Sequence, residues 1–302
     1  MIVPRTFCLG SRRSALRNWS PAIQERKVTV FHRRVGTKAT AAPARPATAR
    51  VPMTAATALQ SSQSSLGKTF FVDTPAGVSE VADHLWAQAP SGDLYVDLEG
   101  APLSRYGSIS LLTIYSPRLR QAFRLDVFTL EWDAFKTTGS RGFNIKQILE
   151  SNTYTKVFFD IRNDSNVLFY HFRVTLRNVE DIQLMKNVTR SDGRSRHNFP
   201  GLAKCLKTVL SSREKKGWDK SKGVVNSLFC PKSGVSYVVF KKRPLSPEIL
   251  AYCVSDVYYL PRLKEKYWNE LSETWRGRVM EDSKAQWLQA SALKEVKKTA
   301  HI

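Results

Sequence analysis

Between residues 93 and 129 the chain runs through three β-type stretches in quick succession, "DLYVDLEG", "SISLLTIYS" and "QAFRLDVFT", each rich in β-branched or aromatic residues. Runs at such close intervals are expected to lie side by side as a meander of adjacent strands. The β-rich pattern already begins at "KTFFVDTP". After the meander the periodicity changes. "NIKQILES" reads as a short helix and "TKVFFDI" as an apolar strand. "NDSNVLFYHF" reads as a helix with Asn163 or Asp164 as its N-cap. "NVEDIQLM" follows as a strand running into a helix, "FPGLAKCLKTVL" as a helix, and "SPEILAYCVSDVYYLPRLKEKYW" as one long helix. Three strands followed by alternating helix and strand imply an α/β fold, a mixed sheet flanked by helices. No internal repeat is present.

The first strand carries an unusual pair. Asp97 and Glu99 are two apart in "LYVDLEG", so both carboxylates leave the strand on the same face. Adjacent acids repel, and such a pair is tolerated where it faces water or is useful where a cation sits between the carboxylates. Other acids decide between these. Asp164 follows the strand "KVFF" at the start of a helix, where the chain turns at the sheet edge and a side chain can face a crevice. Tyr252 and Asp256 are four apart and share one helix face, while Leu250, Val254, Val257 and Leu260 supply the apolar side.

On these residues the chain resembles the DEDD superfamily of 3′–5′ exonucleases, in its ribonuclease D-like branch with tyrosine (DEDDy). It is similar in particular to fungal and other eukaryotic 3′–5′ exonuclease domain-containing proteins. "VDLEG" matches the first motif, "KVFFDIRNDSNVL" the second through Asp164, and the Y-x-x-x-D of "YCVSD" the third. Between the motifs, "GSISLLTIY" looks like the family's second strand, "VEDIQL" like its D-x-Q element and "FPGLAKCL" like its L-P-G-L helix. "RPLSPEIL" resembles the approach to the third motif. The likeness spans roughly residues 69–270. Two positions depart from the pattern: Phe159 stands where relatives often carry His, and Asp160 offers a second acid near the helix start.

The resemblance implies a ribonuclease H-like mixed sheet flanked by helices and a hydrolase acting on phosphodiester bonds of RNA or DNA from the 3′ end. It implies two divalent cations, Mg²⁺ or Mn²⁺, held by Asp97, Glu99, Asp164 and Asp256. Asp97 would bridge both ions, Glu99 and Asp256 would hold the ion that binds the attacking water, and Asp164 would support the other. Tyr252 would orient the water. A carboxylate set suits hard ions of this kind without His or Cys ligands. The alternative is a catalytically weak or inactive nucleic-acid-binding adaptor on the same fold, against which the retention of four acids and Tyr252 argues.

Charge agrees with a polyanionic partner. The 302 residues carry a formal net charge of +21, which favours single-stranded nucleic acid over a small-molecule substrate. Residues 1–50 hold nine Arg and two Lys against Glu25 alone, a net +10. Residues 1–67, rich in Arg, Ala, Ser, Thr and Pro, are expected to be a disordered basic segment. Their composition fits a mitochondrial transit peptide, an ordinary basic tail, or an extension ahead of a start at Met53; without the leader the protein would be nuclear or cytoplasmic. An exonuclease domain over 68–270 and a C-terminal helical tail over 271–302 complete the expected organisation. A second basic run, residues 204–243, has eleven Lys and Arg against Glu214 and Asp219, interleaved with Trp218, Phe229, Tyr237 and Phe240. It reads either as a flap over the strand's phosphates or as a solvated loop whose aromatics pack the core. The four cysteines have no zinc or disulfide spacing, and no stretch is long and apolar enough to span a membrane.

Overall fold

The computed structural model describes residues 60–64, 67–88, 92–101, 103–189, 199–229 and 237–292. In chain order the first elements are β1 (Gln60–Ser64), β2 (Gly67–Val72), α1 (Pro75–Ala87), β3 (Leu94–Gly100), β4 (Ile109–Ser116) and β5 (Gln121–Leu125). Short helices α2 (Val127–Leu130), α3 (Asp133–Lys136) and α4 (Ile145–Glu150) lead to β6 (Lys156–Phe158), α5 (Ile161–Phe172), β7 (Val179–Asp181) and α6 (Ile182–Val188). The remaining helices are α7 (Leu202–Leu206), α8 (Ser212–Phe229), a 3₁₀ turn (Tyr237–Lys241), α9 (Pro247–Tyr258), α10 (Leu260–Glu270) and α11 (Glu273–Ala292).

The strands form one mixed sheet in the order β1-β2-β5-β4-β3-β6-β7. The meander is present: β3, β4 and β5 pair antiparallel, and β6 and β7 extend the sheet parallel to β3. Strand β3 alternates strictly. Val96 and Leu98 face one way, into a core with Val81 and Leu85 of α1, Ile148 of α4 and Leu168 of α5. Tyr95 faces the other way and packs with Met185 of α6 and Leu260, Leu263 and Tyr267 of α10. Helix α9 lies on that second face, where Ile249, Tyr252 and Cys253 cover Leu111 of β4 together with Phe240.

Where β3 ends, the register slips between Glu99 and Gly100. A Cβ on Gly100 would stand 2.0 Å from the Ser108 carbonyl oxygen, so only glycine permits this close return of the chain. The glycine of "VDLEG" thus sets where the acid-bearing strand stops. Helix α9 begins by the rules: the Ser246 hydroxyl accepts the Ile249 N–H and Pro247 occupies its first turn. Buried Arg124 of β5 ties the helix down by donating to the Leu250 carbonyl at 3.1 Å and to Thr69 Oγ1 at 3.3 Å.

Four expectations change. Residues 60–64, placed in the disordered segment 1–67, form β1 and pair antiparallel with β2; "QSSQS" has no apolar alternation to announce a strand, and its backbone ladder alone makes one. Residues 1–59 lie outside the described residues. The N-cap of α5 is Asp160, in a left-handed conformation at φ 68°, not Asn163 or Asp164, and its side chain makes no capping bond. The Asp181 carboxylate instead accepts the N–H groups of Asp160 (3.0 Å), Ile161 (3.1 Å) and Gln183 (2.8 Å), capping α5 from the neighbouring strand β7 while it caps α6. The long helix over 246–268 is two, divided at Tyr259, because Pro261 has no N–H to continue the ladder. Finally, the basic run contains α8, which ordinary apolar periodicity did not announce, whereas "FPGLAKCLKTVL" is helical only over Leu202–Leu206. In the C-terminal part, α11 packs on α5 and along β7, and buried Ser283 accepts the Asp181 N–H at 3.2 Å.

Candidate active site

Three of the sequence-chosen acids meet above the sheet. Asp97 and Glu99 rise from the same face of β3, and Asp256 comes down from α9. One carboxylate oxygen of each lies within 4.8 Å of the others. Tyr252 precedes Asp256 by one helical turn and is buried, as is Asp256. Asp164, in the first turn of α5, is buried but is not within that three-acid group; it lies near enough for the charge of Asp97 to act on it. Asp160, the other acid near that helix start, is half-buried and pairs with Arg162 through two bonds of 2.6 and 2.7 Å, and its charge also acts on Asp164.

Electrostatics mark this as a place of uncompensated negative charge. Burial, then Asp256, pushes the Asp97 carboxyl up to about 7, opposed by Lys222 and the Leu98 N–H. Glu99 is raised well above the usual carboxylate range by burial, with Asp97 and Asp256 adding to it. Asp164 is raised well above the usual range by burial and then by Asp97. Asp256 is raised by burial, although Lys222 and the Tyr252 hydroxyl both act to lower it. At these separations each pair of like charges costs about 3 kcal/mol at an effective dielectric near 20. One ammonium, Lys222, faces the group, with its Nζ donating to Asp256 Oδ2 at 3.3 Å and to Tyr252 Oη at 2.7 Å. Asp256 Oδ1 is buried without a hydrogen-bond partner. An orphaned buried carboxylate oxygen beside two further acids fits a hard divalent cation, and the all-oxygen donor set suits Mg²⁺ or Mn²⁺.

Lys222 was not singled out by sequence reasoning. It lay unmarked among eleven cations of residues 204–243, and no spacing connects it to a tyrosine thirty residues later. Of the aromatics in that run, Trp218 and Phe240 are buried in the core and Tyr237 keeps an exposed ring. The Phe229 side chain and residues 230–236 lie outside the described residues. Cys205 and Cys253 are buried free thiols, and no helix among the described residues is long and apolar enough to cross a membrane.

Comparison with known proteins shows the family and the fold. The family described as 3′–5′ exonuclease matches residues 70–272. Among solved structures, Trypanosoma brucei RNase D in complex with RNA U12 is similar at 22% identity and a TM-score of 0.58, over 74% of this chain and 70% of that one. The catalytic core of RRP6 from Trypanosoma brucei aligns at 18% identity and a TM-score of 0.53, over 73% of this chain and 51% of that one. Escherichia coli RNase D, an exoribonuclease involved in structured RNA processing, aligns at 17% identity and a TM-score of 0.50, over 73% and 50%. These likenesses show that the chain shares the α/β fold of RNase D and RRP6, a mixed sheet with flanking helices. Among curated proteins none matches significantly. With the family match extending over two thirds of its length and three carboxylates clustered on its sheet, this chain belongs to the 3′–5′ exonuclease family, hydrolases of phosphodiester bonds.

Proposed function

We propose that the protein removes nucleotides one at a time from the 3′ end of single-stranded RNA or DNA by a two-metal mechanism. The observation that carries this reading is the meeting of Asp97, Glu99 and Asp256 around an unpartnered carboxylate oxygen, with Tyr252 alongside. Asp97, Glu99, Asp164 and Asp256 would hold a pair of Mg²⁺ or Mn²⁺ ions. When bound, such ions supply an activated water, stabilise the leaving oxyanion and neutralise phosphate charge.

The protein's own groups set the rest. Burial, reinforced by Asp256, Glu99 and Asp97, holds the Tyr252 phenol well above its ordinary range. It stays protonated at neutral pH and serves as a hydrogen-bonding, orienting group rather than a base. The acids stand on β3 and α9, which pack on each other, so the group is held by two packed elements and not by a loop alone.

We take residues 68–270 as the exonuclease domain, with a basic segment before it and a helical tail from 271. The net +10 over residues 1–50 with a single acid supports a mitochondrial address for the precursor; a fluorescent protein fused behind this segment should enter mitochondria, and nuclear or diffuse signal would reject that address. Activity is tested by supplying end-labelled RNA and DNA oligomers, with Mg²⁺, Mn²⁺ or chelator. Stepwise shortening from a free 3′-hydroxyl, its arrest by a 3′-phosphate and its loss in chelator are expected. Cutting of a circular substrate, or full activity in chelator, would overturn the proposal.

A further inference from the structure

Lys222 projects from α8, an element that contributes none of the acids, into the angle between Tyr252 and Asp256. Its Nζ lies 2.7 Å from Tyr252 Oη, 3.3 Å from Asp256 Oδ2 and 4.1 Å from the centre of the Tyr252 ring. Trp218, one turn earlier on α8, is buried and presents its ring 5.6 Å from the same ammonium. The lysine stem is therefore held by a packed helix face, and α8 itself packs on α9. Arg213, Lys215, Lys216 and Lys220 share the helix, but among the described residues Lys222 is the cation recorded against the acid cluster.

An ammonium has only donors, whereas a phenol has one donor and acceptor lone pairs. Tyr252 Oη must therefore accept from Lys222. The phenolic proton is left for another acceptor, and Asp256, with which the hydroxyl also interacts, is the carboxylate one turn along the helix. We infer that Lys222 is a positioning residue for the exonuclease reaction: it fixes the Tyr252 hydroxyl with its proton directed at the carboxylate cluster, and its charge screens Asp256 until a divalent cation arrives. The inference rests on the nuclease reading of this site and adds to it a group that acts through the tyrosine rather than on the phosphate.

The experiment compares wild type, Lys222→Met, Lys222→Arg, Tyr252→Phe and the Lys222→Met/Tyr252→Phe double variant on a labelled oligonucleotide, with kcat and KM separated. Loss of a hydrogen bond from a charged donor predicts a fall in kcat of about ten- to a hundredfold for Lys222→Met, with KM nearly unchanged. Lys222→Arg should restore part of it. In the Tyr252→Phe background the lysine substitution should add almost nothing. If the two losses multiply, or if KM rises instead, Lys222 works on the phosphate and the inference fails. A second readout needs no turnover: Mn²⁺ titration by calorimetry, without nucleic acid, should show tighter binding to Lys222→Met, because a positive charge has left Asp256. Equal or weaker binding would overturn the placement of that ammonium. An inactive wild type would instead overturn the nuclease reading, whereas an active wild type with an equally active Lys222→Met would overturn this inference alone.

Discussion

The two ends of β3 handle buried charge in opposite ways. At its start, Asp93 accepts from Lys264 at 2.6 Å and from the Tyr95 hydroxyl at 3.2 Å, and the same Lys264 ammonium lies 2.8 Å from buried Glu180. Close by, fully buried Lys156 of β6 donates to the Tyr154 carbonyl at 2.7 Å and to that of Ser151 at 2.5 Å. At its far end, by contrast, three acids share one lysine and leave an oxygen unpaired. At the first end the two acids and their shared lysine form ion pairs of 2.6 and 2.8 Å; at the second a single ammonium faces three carboxylates, a set suited to an added cation. The difference separates support from function along a strand seven residues long.

The largest effect should come from breaking the acid-rich end. Asp97→Asn is expected to reduce exonuclease activity by roughly a thousandfold or more, and yet to leave the fold intact. The sign for stability follows from the titration: Asp97 sits at 3.8 ordinarily and about 7 in the folded protein. Its favourable contribution is fully present below pH 4 and is lost as pH rises through 7. Metal-free wild type should therefore lose stability over that window more steeply than Asp97→Asn in thermal melts, and a variant with nearly wild-type activity would undo the contrast.

Breaking the ion-paired end should do the reverse, sparing chemistry and costing stability. Lys264→Met leaves Asp93 and buried Glu180 without their shared cation, a loss of roughly 2–3 kcal/mol. Denaturant unfolding checks this. An unchanged midpoint would mean that the network contributes nothing.

A subtler contrast concerns Lys156, whose ammonium burial holds down to about 7 against 10.5 ordinarily. Its contribution is present above pH 10.5 and is lost as pH falls through 7, the opposite slope to Asp97. Lys156→Met should flatten the decline in stability between pH 9 and pH 6, by on the order of 2 kcal/mol. Melts at a series of pH values give the slope, and parallel curves would show that the two carbonyls fully solvate the charge.

The smallest effect lies outside both ends. Deleting residues 1–59 should leave the rate on a short oligonucleotide nearly unchanged, because β1 and its ladder to β2 stay in place. Deleting 1–67 removes β1 and bares the β2 edge, so lower solubility is expected without loss of the site. A large loss of rate on short substrates from the shorter deletion would place catalytic function in the leader.

Local chemistry made much of the fold and site readable in advance. Asp97 and Glu99 share a face because strand side chains alternate, and Tyr252 and Asp256 share one because helix neighbours recur every four residues. The Ser246–Pro247 start of α9 and the glycine after Glu99 are equally local. None of these needs a distant partner to be recognised. What the tertiary structure alone decided were the contacts between residues far apart in the chain. Asp181, at the end of the neighbouring strand and some twenty residues on, supplies the cap that α5 takes at Asp160, so the local capping rule chose the wrong residue. Backbone pairing with β2 makes a strand of "QSSQS", whose side chains carry no pattern. Packing on α9 turns one lysine of a basic run toward Tyr252 and Asp256, although all its neighbours look alike in sequence. Side-chain type and short-range periodicity determined which groups the site contains; which charge meets which depended on packing, because a Coulombic or hydrogen-bonded contact is set by distance in space and not by separation along the chain.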